Sequence, residues 1–240
     1  MNKKYVIFKD DDAGINLQNL KRWIDIILEK NCKGTIGVIG KYLKNKELRE
    51  YLNSLNQEEI EIFCHGFSHK RLPYIGKKMF KGKKKFSGEF ENSLERHTAL
   101  IEKYCEYEKK YLNTKAIAFG PQGNKWNENI IKPLIKNNFK MMFSWKNVGG
   151  GLLTIPLTIN FRKDLLCEFF DHNRYEKNKN DVIYTVQFHH AKFSEQDFEF
   201  LPDIIDFLIN KEGRISVTPS ELYKISQKDE EIYSIMTSEK

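Results

Sequence analysis

The segment YVIFKDDDAG, residues 5–14, runs from an apolar stretch directly into three adjacent aspartates. Tyr5 to Phe8 have the continuously apolar character of a buried strand. Three neighbouring negative charges repel one another, and two interpretations account for them. A solvated turn holds such charges apart at little cost, or a bound cation compensates them. The remainder of the chain has to discriminate between the two.

Short apolar segments alternate with longer amphipathic ones along all 240 residues, without repeats or a linker rich in proline, glycine or serine. This alternation predicts one α/β domain over residues 1–240, with parallel strands covered by helices in a sheet or barrel. Thr218-Pro219-Ser220-Glu221 has the pattern of a helix start with a capping box. The predicted strands cover 4–9, 34–40, 60–64, 115–120, 140–145, 153–160, 181–189 and 214–217. The predicted helices cover 17–30, 45–55, 88–112, 127–138, 196–211 and 219–226.

The chain carries 40 lysines and arginines against 33 acidic residues, a formal net charge of +7. Basic residues occur throughout, so we interpret the charge as a compositional trait. One dense cluster, Lys77 to Lys85, is interpreted as a solvated loop or as a contact to a phosphate group. Assigning the chain as a nucleic-acid-binding protein would depend on its charge alone, because no zinc-finger, helix-turn-helix or RNA-binding pattern is present. We therefore expect no nucleic-acid partner.

The four cysteines, at 32, 64, 105 and 167, are widely spaced and include no Cys-x-x-Cys pair. They predict core thiols rather than a disulfide framework or a zinc ribbon. The first residues lead at once into the first strand, and no apolar stretch is long enough for a signal or a membrane span. We therefore expect a cytoplasmic protein, and the sequence leaves its oligomeric state open.

Histidines accumulate at predicted strand ends, where α/β folds place their chemistry. His65 and His69 are four residues apart, and Gly66 between them permits a sharp turn, so both imidazoles can reach one metal ion. One aspartate of the triplet would complete a site of two histidines and one carboxylate, with positions left for water and substrate. A second aspartate would stay unliganded and act as a general base.

Four other histidines remain. His189 and His190 end a later strand, and one of them is a candidate general acid for a leaving amine or alcohol. The alternative is that one packs at the edge of the core and the other is solvated. His97 lies in a charged helix and is predicted to be a surface residue, and His172 lies in a polar loop without an assigned role.

In this order, the segments resemble the polysaccharide deacetylase family, the NodB-like carbohydrate esterases of family 4. That family has an Asp-Asp pair after the first strand, a later His-x-x-x-His, an Arg/Pro-containing turn and a late strand ending in Leu-His. The corresponding residues here are Asp11-Asp12, His65-Gly66-Phe67-Ser68-His69, Phe119-Gly120-Pro121-Gln122-Gly123 and Phe188-His189. The resemblance spans nearly the whole chain, and the closing Val217 to Leu222 is also similar to the family's ending.

The resemblance implies a distorted (β/α) barrel of about seven strands and a metal-dependent hydrolase that removes an N-acetyl or similar acyl group from a sugar. By carry-over, Asp12, His65 and His69 hold a divalent metal ion. Zinc is the expected metal, and cobalt, nickel and iron are alternatives. Asp11 is then the base and His189 the acid, and His190 is an alternate for the acid. Because the third aspartate blurs the register, Asp10 and Asp11 are the alternative pair of base and ligand. The expected substrate-binding residues are Pro121, Gln122, Asn124 and Trp145. For both Trp126 and Trp145 the alternatives are stacking on a sugar ring and packing under the rim.

The chain departs from the family at the third motif, where Gly120 stands in the place of an arginine that pairs with the base. Either Lys9 or Asp10 then tunes the base, or the activity is altered. Because no export signal is seen, the expected substrate is a cytoplasmic nucleotide- or lipid-linked intermediate of surface polysaccharide assembly. The competing interpretation is a catalytically retired deacetylase-like barrel that binds carbohydrate or regulates. The retained carboxylates and histidines speak against it.

Overall fold

The described part of the chain is a parallel β-sheet with helices packed on both faces. The computed structural model describes residues 3–69, 72–73, 86–87, 89–160 and 178–238, so the Lys77–Lys85 cluster, His172 and Cys167 lie outside the described residues. The strands are β1 (Tyr5–Ala13), β2 (Gly34–Val38), β3 (Ile60–Cys64), β4 (Leu72–Pro73), β5 (Phe86–Ser87), β6 (Ala118–Phe119), β7 (Met141–Ser144), β8 (Leu153–Pro156), β9 (Ile159–Asn160), β10 (Ile183–Phe188) and β11 (Ile215–Ser216). The helices are α1 (Leu17–Glu29), α2 (Lys46–Ser54), α3 (Leu94–Tyr111), α4 (Ile131–Lys136), α5 (Glu195–Asp206), α6 (Pro219–Ser226) and α7 (Glu230–Thr237).

The main sheet has the strand order β8-β7-β6-β3-β2-β1-β10-β9, with β11 beside β1. All of its neighbouring strands are parallel, whereas β4 and β5 form a separate antiparallel pair. The parallel strands of this sheet curl into a half-barrel with helices against it, so the expected distorted (β/α) barrel is confirmed. Since the strands are parallel, their carboxyl ends share one edge of the sheet.

The central strand β1 is buried along its whole length, and its apolar half packs on both faces of the sheet. Val6 and Phe8 contact the hydrophobic cluster that includes α1, while Tyr5 and Ile7 contact the cluster on the opposite face. This alternation is the period of two expected in a strand, and coverage on both sides explains the continuous apolar run.

Several element bounds differ from the predicted ones. The predicted strand 153–160 is two strands, β8 and β9, and the predicted helix 88–112 begins only at Leu94, because Ser93 caps it by accepting a hydrogen bond from Arg96 N. The predicted helix 196–211 ends as a π-helical turn at Phe207–Lys211, and α7 was not predicted. The capping box of α6 is present as predicted. None of the helices in the described ranges is long and apolar enough to cross a membrane.

His97 is not a surface residue, and the prediction for it is wrong. Its side chain is fully buried in α3, packs against the Phe90 ring and accepts a hydrogen bond from Asn92 N at Nε2. Burial lowers the pKa of His97, which favours the neutral imidazole that this acceptor role requires. Cys32 and Cys64 are buried free thiols, and Cys105 is a half-buried one.

Candidate active site

The three aspartates lie within β1, which extends to Ala13, and they are not a solvated turn. Asp10, Asp11 and Asp12 are 0%, 1% and 6% exposed. Asp12 has a φ of 70°, and the pairing of β1 with β2 shifts register between Asp10 and Ala13. A regular strand would point Asp11 and Asp12 to opposite faces. The irregular backbone instead brings both carboxylates near the same imidazole, that of His65.

Asp12, His65 and His69 bring three potential ligand atoms together. Asp12 Oδ1 lies 2.8 Å from His69 Nε2 and 3.4 Å from His65 Nε2. One ligand atom from each residue lies within 4.8 Å of the other two. His65 follows β3, and His69 follows the turn after it, so the parallel sheet delivers these groups to the carboxyl end of β1. This is a possible metal site of the type that resemblance to the family implies.

The protonation of His65 tests whether a cation fits this site. The Gly120 carbonyl lies 2.8 Å from His65 Nδ1 and can only accept, so Nδ1 carries the proton. The lone pair of a neutral His65 is then at Nε2 and faces Asp12 Oδ1, another acceptor, which finds no hydrogen-bond donor among the described residues. Two acceptors in contact require a proton or a metal ion between them. The donor set therefore fits a divalent cation, and the carbonyl of Gly120 fixes the ligand tautomer.

The charges at this centre are mutually stabilised. Burial opposes ionisation of Asp12, but the neighbouring imidazoles of His65 and His69 outweigh it and lower the pKa of Asp12. Burial also opposes the imidazolium form of His65, yet Asp11 and Asp12 raise the pKa of His65. Both pKa shifts show that the surroundings of Asp12 favour a positive charge beside its carboxylate.

The turn that presents His69 is held by Glu89, a residue that sequence reasoning missed. One carboxylate oxygen of Glu89 accepts hydrogen bonds from Ser68 N at 2.8 Å and Ser68 Oγ at 2.9 Å, and the other accepts from His69 N at 3.0 Å. The amide of Gln122 donates to His69 O at 3.2 Å. His69 itself has a φ of 54°, in the left-handed region that side chains rarely adopt. Glu89 and Gln122 therefore fix a strained backbone at a candidate ligand.

Asp11 has both carboxylate oxygens occupied by side-chain donors. The buried Lys9 Nζ pairs with Oδ1, and Gln187 Nε2 donates to Oδ2 at 2.5 Å. Gln187 Oε1 in turn accepts from Asn124 Nδ2 at 3.1 Å. Burial opposes ionisation of Asp11, but His65, Lys9 and His189 lower its pKa below the ordinary value. No motif in the sequence pointed to Gln187.

The two adjacent histidines after β10 have different surroundings. His189 Nε2 lies 3.8 Å from Asp11 Oδ2, and its side chain keeps 17% of its surface exposed. Burial lowers the pKa of His189, only partly offset by Asp11 and Asp10. His189 therefore lies at the site and is not completely buried.

Asp10 and His190 pair with each other. His190 N donates to Asp10 Oδ1 at 2.9 Å, and His190 Nδ1 pairs with Oδ2 of the same carboxylate. His190 Nε2 lies 2.7 Å from the carbonyl of Ile15. Because both ring nitrogens meet acceptors, the imidazole is held as a cation, and Asp10 raises its pKa against the effect of burial. This fully buried pair ties β10 to the turn that follows the aspartates.

The sequence model of the family described as "Polysaccharide deacetylase" matches residues 1–142, more than half of the chain. The chain belongs to the polysaccharide deacetylase family. None of the curated proteins matches it. The assignment of residues 1–240 to one domain, and the cytoplasmic location, stay predictions.

Solved structures of polysaccharide deacetylase relatives share the fold. A protein from Mycobacterium smegmatis described as a polysaccharide deacetylase has 14% identity and a TM-score of 0.64, covering 100% of this chain and 94% of its own. A family 4 acetyl xylan esterase from Clostridium thermocellum, solved with a cobalt ion, has 19% identity and a TM-score of 0.59, covering 92% of each chain. A family 4 pseudoenzyme from Bacillus anthracis has 14% identity and a TM-score of 0.61; the match covers 92% of this chain and 65% of the pseudoenzyme's length. At these identities the likeness concerns the fold alone.

In this deacetylase-family chain, the turn after β6 contributes positioning contacts. Pro121 is buried, Gln122 reaches the backbone of His69, and Asn124 reaches Gln187. Trp145, after β7, is 48% exposed. Trp126 instead donates from Nε1 to Ser144 Oγ at 3.2 Å, and Lys146 Nζ lies 4.3 Å from its ring centroid. Of the two tryptophans, Trp145 has the freer surface for a ligand.

Proposed function

We propose that the protein is a metal-dependent hydrolase that removes an N-acetyl or similar acyl group from a sugar. The observation that carries this proposal is the convergence of Asp12 Oδ1, His65 Nε2 and His69 Nε2 beside the buried carboxylate of Asp11. A bound divalent cation, for which zinc is expected, would supply Lewis acidity toward the acyl carbonyl and the attacking water.

The residues of the chain account for the proton transfers. Water adds to the acyl carbon, and Asp11, held ionised by its neighbours, takes the proton that the water gives up. The C–N bond then breaks, and the leaving nitrogen takes a proton from His189 Nε2, on the same side of the site as Asp11 Oδ2. The proton that Asp11 took from water replaces the one that His189 gives up, so both groups return to their starting forms. The products are a carboxylate such as acetate and a sugar amine.

The orientation of two amides supports a role in substrate binding. A carboxylate oxygen only accepts, so Gln187 must turn its NH₂ toward Asp11 and its Oε1 toward the Asn124 amide nitrogen. Asn124 Oδ1 is then left as a buried acceptor with no partner among the described residues. The same holds for Gln122 Oε1, because Gln122 Nε2 donates to the His69 carbonyl. Free acceptors beside the site suit the N–H and O–H donors of an N-acyl sugar, with Trp145 available to stack on a ring.

The finer substrate class is a nucleotide- or lipid-linked sugar of surface polysaccharide assembly. Its support is the Lys77–Lys85 cluster of the sequence, which we interpret as a contact to the diphosphate of such a substrate. Neutralising four of these lysines should raise KM for a phosphate-bearing substrate and leave KM for the free N-acetyl sugar unchanged. Equal effects on both substrates would contradict this assignment.

A catalytically retired barrel is the second candidate, and the glycine at position 120 is the observation that favours it. The deciding experiment compares wild type with His65→Ala by elemental analysis and by acetate release from N-acetylated sugars and sugar nucleotides. A hydrolase is expected to hold about one transition metal per chain and to release acetate, with both lost in the variant. Sugar binding without acetate release, in metal-loaded wild type, would support the retired barrel instead.

A further inference from the structure

Lys9 is an unusual residue because its entire side chain is buried in the central strand. It is 0% exposed. Its Nζ lies 4.9 Å from the ring centroid of Phe63 and 5.2 Å from that of Phe143, and it pairs with Asp11 Oδ1. A buried ammonium is costly unless it is paired and its surroundings accept its charge. A lysine whose only task was to fill space would be replaced at no loss by an apolar side chain.

The ring of Phe63, which packs beside Lys9, leaves no room for a side chain at position 120. A Cβ added to Gly120 would lie 2.6 Å from Phe63 Cε2 and 3.5 Å from Lys9 Cε. A side chain at 120 would therefore overlap the ring of Phe63, while Lys9 Cε would stay at ordinary contact distance. Position 120 is thus next to the Lys9 side chain, and Lys9 is the residue that brings a cation to Asp11 there.

No other lysine or arginine in the described ranges pairs with Asp11. The nearest imidazoles are more distant, with His65 Nδ1 at 3.7 Å and His189 Nε2 at 3.8 Å, and the His65 Nδ1 proton is donated to Gly120 O. The second oxygen of Asp11 is held by Gln187, whose amide is fixed in turn by Asn124. Each oxygen of the candidate base thus has one side-chain donor, which fixes the plane of the carboxylate.

We propose that Lys9 is a positioning residue that supplies the counter-charge of Asp11 from within β1 and, together with Gln187, fixes the base in place of a cation at position 120. This rests on the proposed function, in which Asp11 is the base. In this proposal the cation that pairs with the base is present at Lys9 and is not missing because position 120 is a glycine. A site assembled in this way keeps its base, its candidate ligands and its acid.

The test compares Lys9→Met with Lys9→Arg in zinc-loaded protein. Methionine preserves the length and packing of the stem without the charge, and arginine preserves the charge. Lys9→Met is expected to lower kcat for acetate release on the order of 100-fold, with KM within about twofold and one metal ion still bound. Lys9→Arg should recover part of that kcat. Lys136→Met, which removes an exposed ion pair with Glu102 on α3, is the matched control and should leave kcat unchanged.

A second readout does not depend on catalysis. Lys9→Met leaves Asp11 buried without its counter-charge, so the urea midpoint should fall, and adding Asp11→Asn should raise it again. Full kcat in Lys9→Met, or no recovery of the midpoint in the double variant, would overturn the proposal while the hydrolase function stands. If wild type releases no acetate from any sugar tested, the proposed function fails and the catalytic role of Lys9 fails with it.

Discussion

Replacing Glu89 by glutamine should weaken metal binding although Glu89 is not a candidate ligand. Its two oxygens accept from Ser68 N, Ser68 Oγ and His69 N, and they hold His69 at a φ of 54°. In Glu89→Gln one oxygen becomes an NH₂ group of nearly the same size. That group meets a backbone N–H of the turn, so one charge-assisted hydrogen bond is lost and a buried donor is left unpaired.

The expected magnitude follows from that single contact. A hydrogen bond to a charged group contributes about 1.5–3 kcal/mol, and a left-handed residue other than glycine carries a strain of roughly 1–2 kcal/mol. We take the loss in stability of the turn as about 2 kcal/mol and assume that His69 binds the metal only when the turn is formed. At about 1.4 kcal/mol per factor of ten, the Kd for zinc then rises about 30-fold. This falls within the range of roughly 10- to 100-fold typical of residues that orient metal ligands.

The assay is a competition titration of metal-free protein with zinc and a chromophoric chelator. Glu102→Gln, which alters an exposed glutamate on α3, is the matched control and should bind zinc like wild type. The zinc Kd of Glu89→Gln staying within twofold of wild type, with unchanged circular dichroism, would refute the reasoning. It would mean that the turn holds His69 without the carboxylate.

Three further outcomes are expected. Asp12→Ala should lose both zinc and acetate release, whereas Asp11→Asn should keep zinc and lose 100-fold or more of kcat, since an amide is not a base; elemental analysis and kinetics on the two variants decide this. Asn124→Leu should raise KM for an N-acyl sugar about 10-fold, the equivalent of one hydrogen bond, and should also lower kcat because Asn124 no longer orients Gln187, as measured by initial rates. Burial raises the pKa of Glu108 from 4.5 to about 7. Because this carboxyl pKa is raised in the folded state, its contribution to the free energy of unfolding is fully present below pH 4.5 and is lost as pH rises through about 7. Glu108→Gln should therefore remove up to about 3 kcal/mol of the change in the free energy of unfolding between pH 4.5 and 8, as measured by urea unfolding.

The predicted features that the structure reproduces are those encoded locally. The His-x-x-x-His spacing places His65 and His69 at one centre, and the capping box at Thr218 and Glu221 begins a helix where predicted. Each of these patterns involves residues within four positions of one another, so the chain geometry links them directly.

The features that the sequence did not reveal depend on partners far along the chain. Gln187 is 176 residues from Asp11, and Glu89 is 20 residues from His69, with no spacing rule that links either pair. The end of β1 was predicted too early for the same reason. Aspartate is rare in strands, and Asp10 is compensated there by His190, which is 180 residues away in sequence. His97 was predicted to be exposed because its neighbours in sequence are charged, whereas its burial is decided by Phe90 and Asn92.

The three aspartates of the opening segment have different partners, and the difference indicates where a cation belongs. Asp10 is compensated by the imidazolium of His190, and Asp11 by the ammonium of Lys9. Three negative charges and two positive ones leave one negative charge, and it lies on Asp12, whose contacts are imidazole nitrogens rather than a lysine or arginine. A buried carboxylate without a fixed counter-charge is costly. The imidazole nitrogens next to Asp12 offer lone pairs at the same point. A divalent cation there would neutralise the carboxylate and accept these lone pairs. The uncompensated charge of Asp12 is therefore the reason to propose the metal at Asp12 rather than at Asp10 or Asp11.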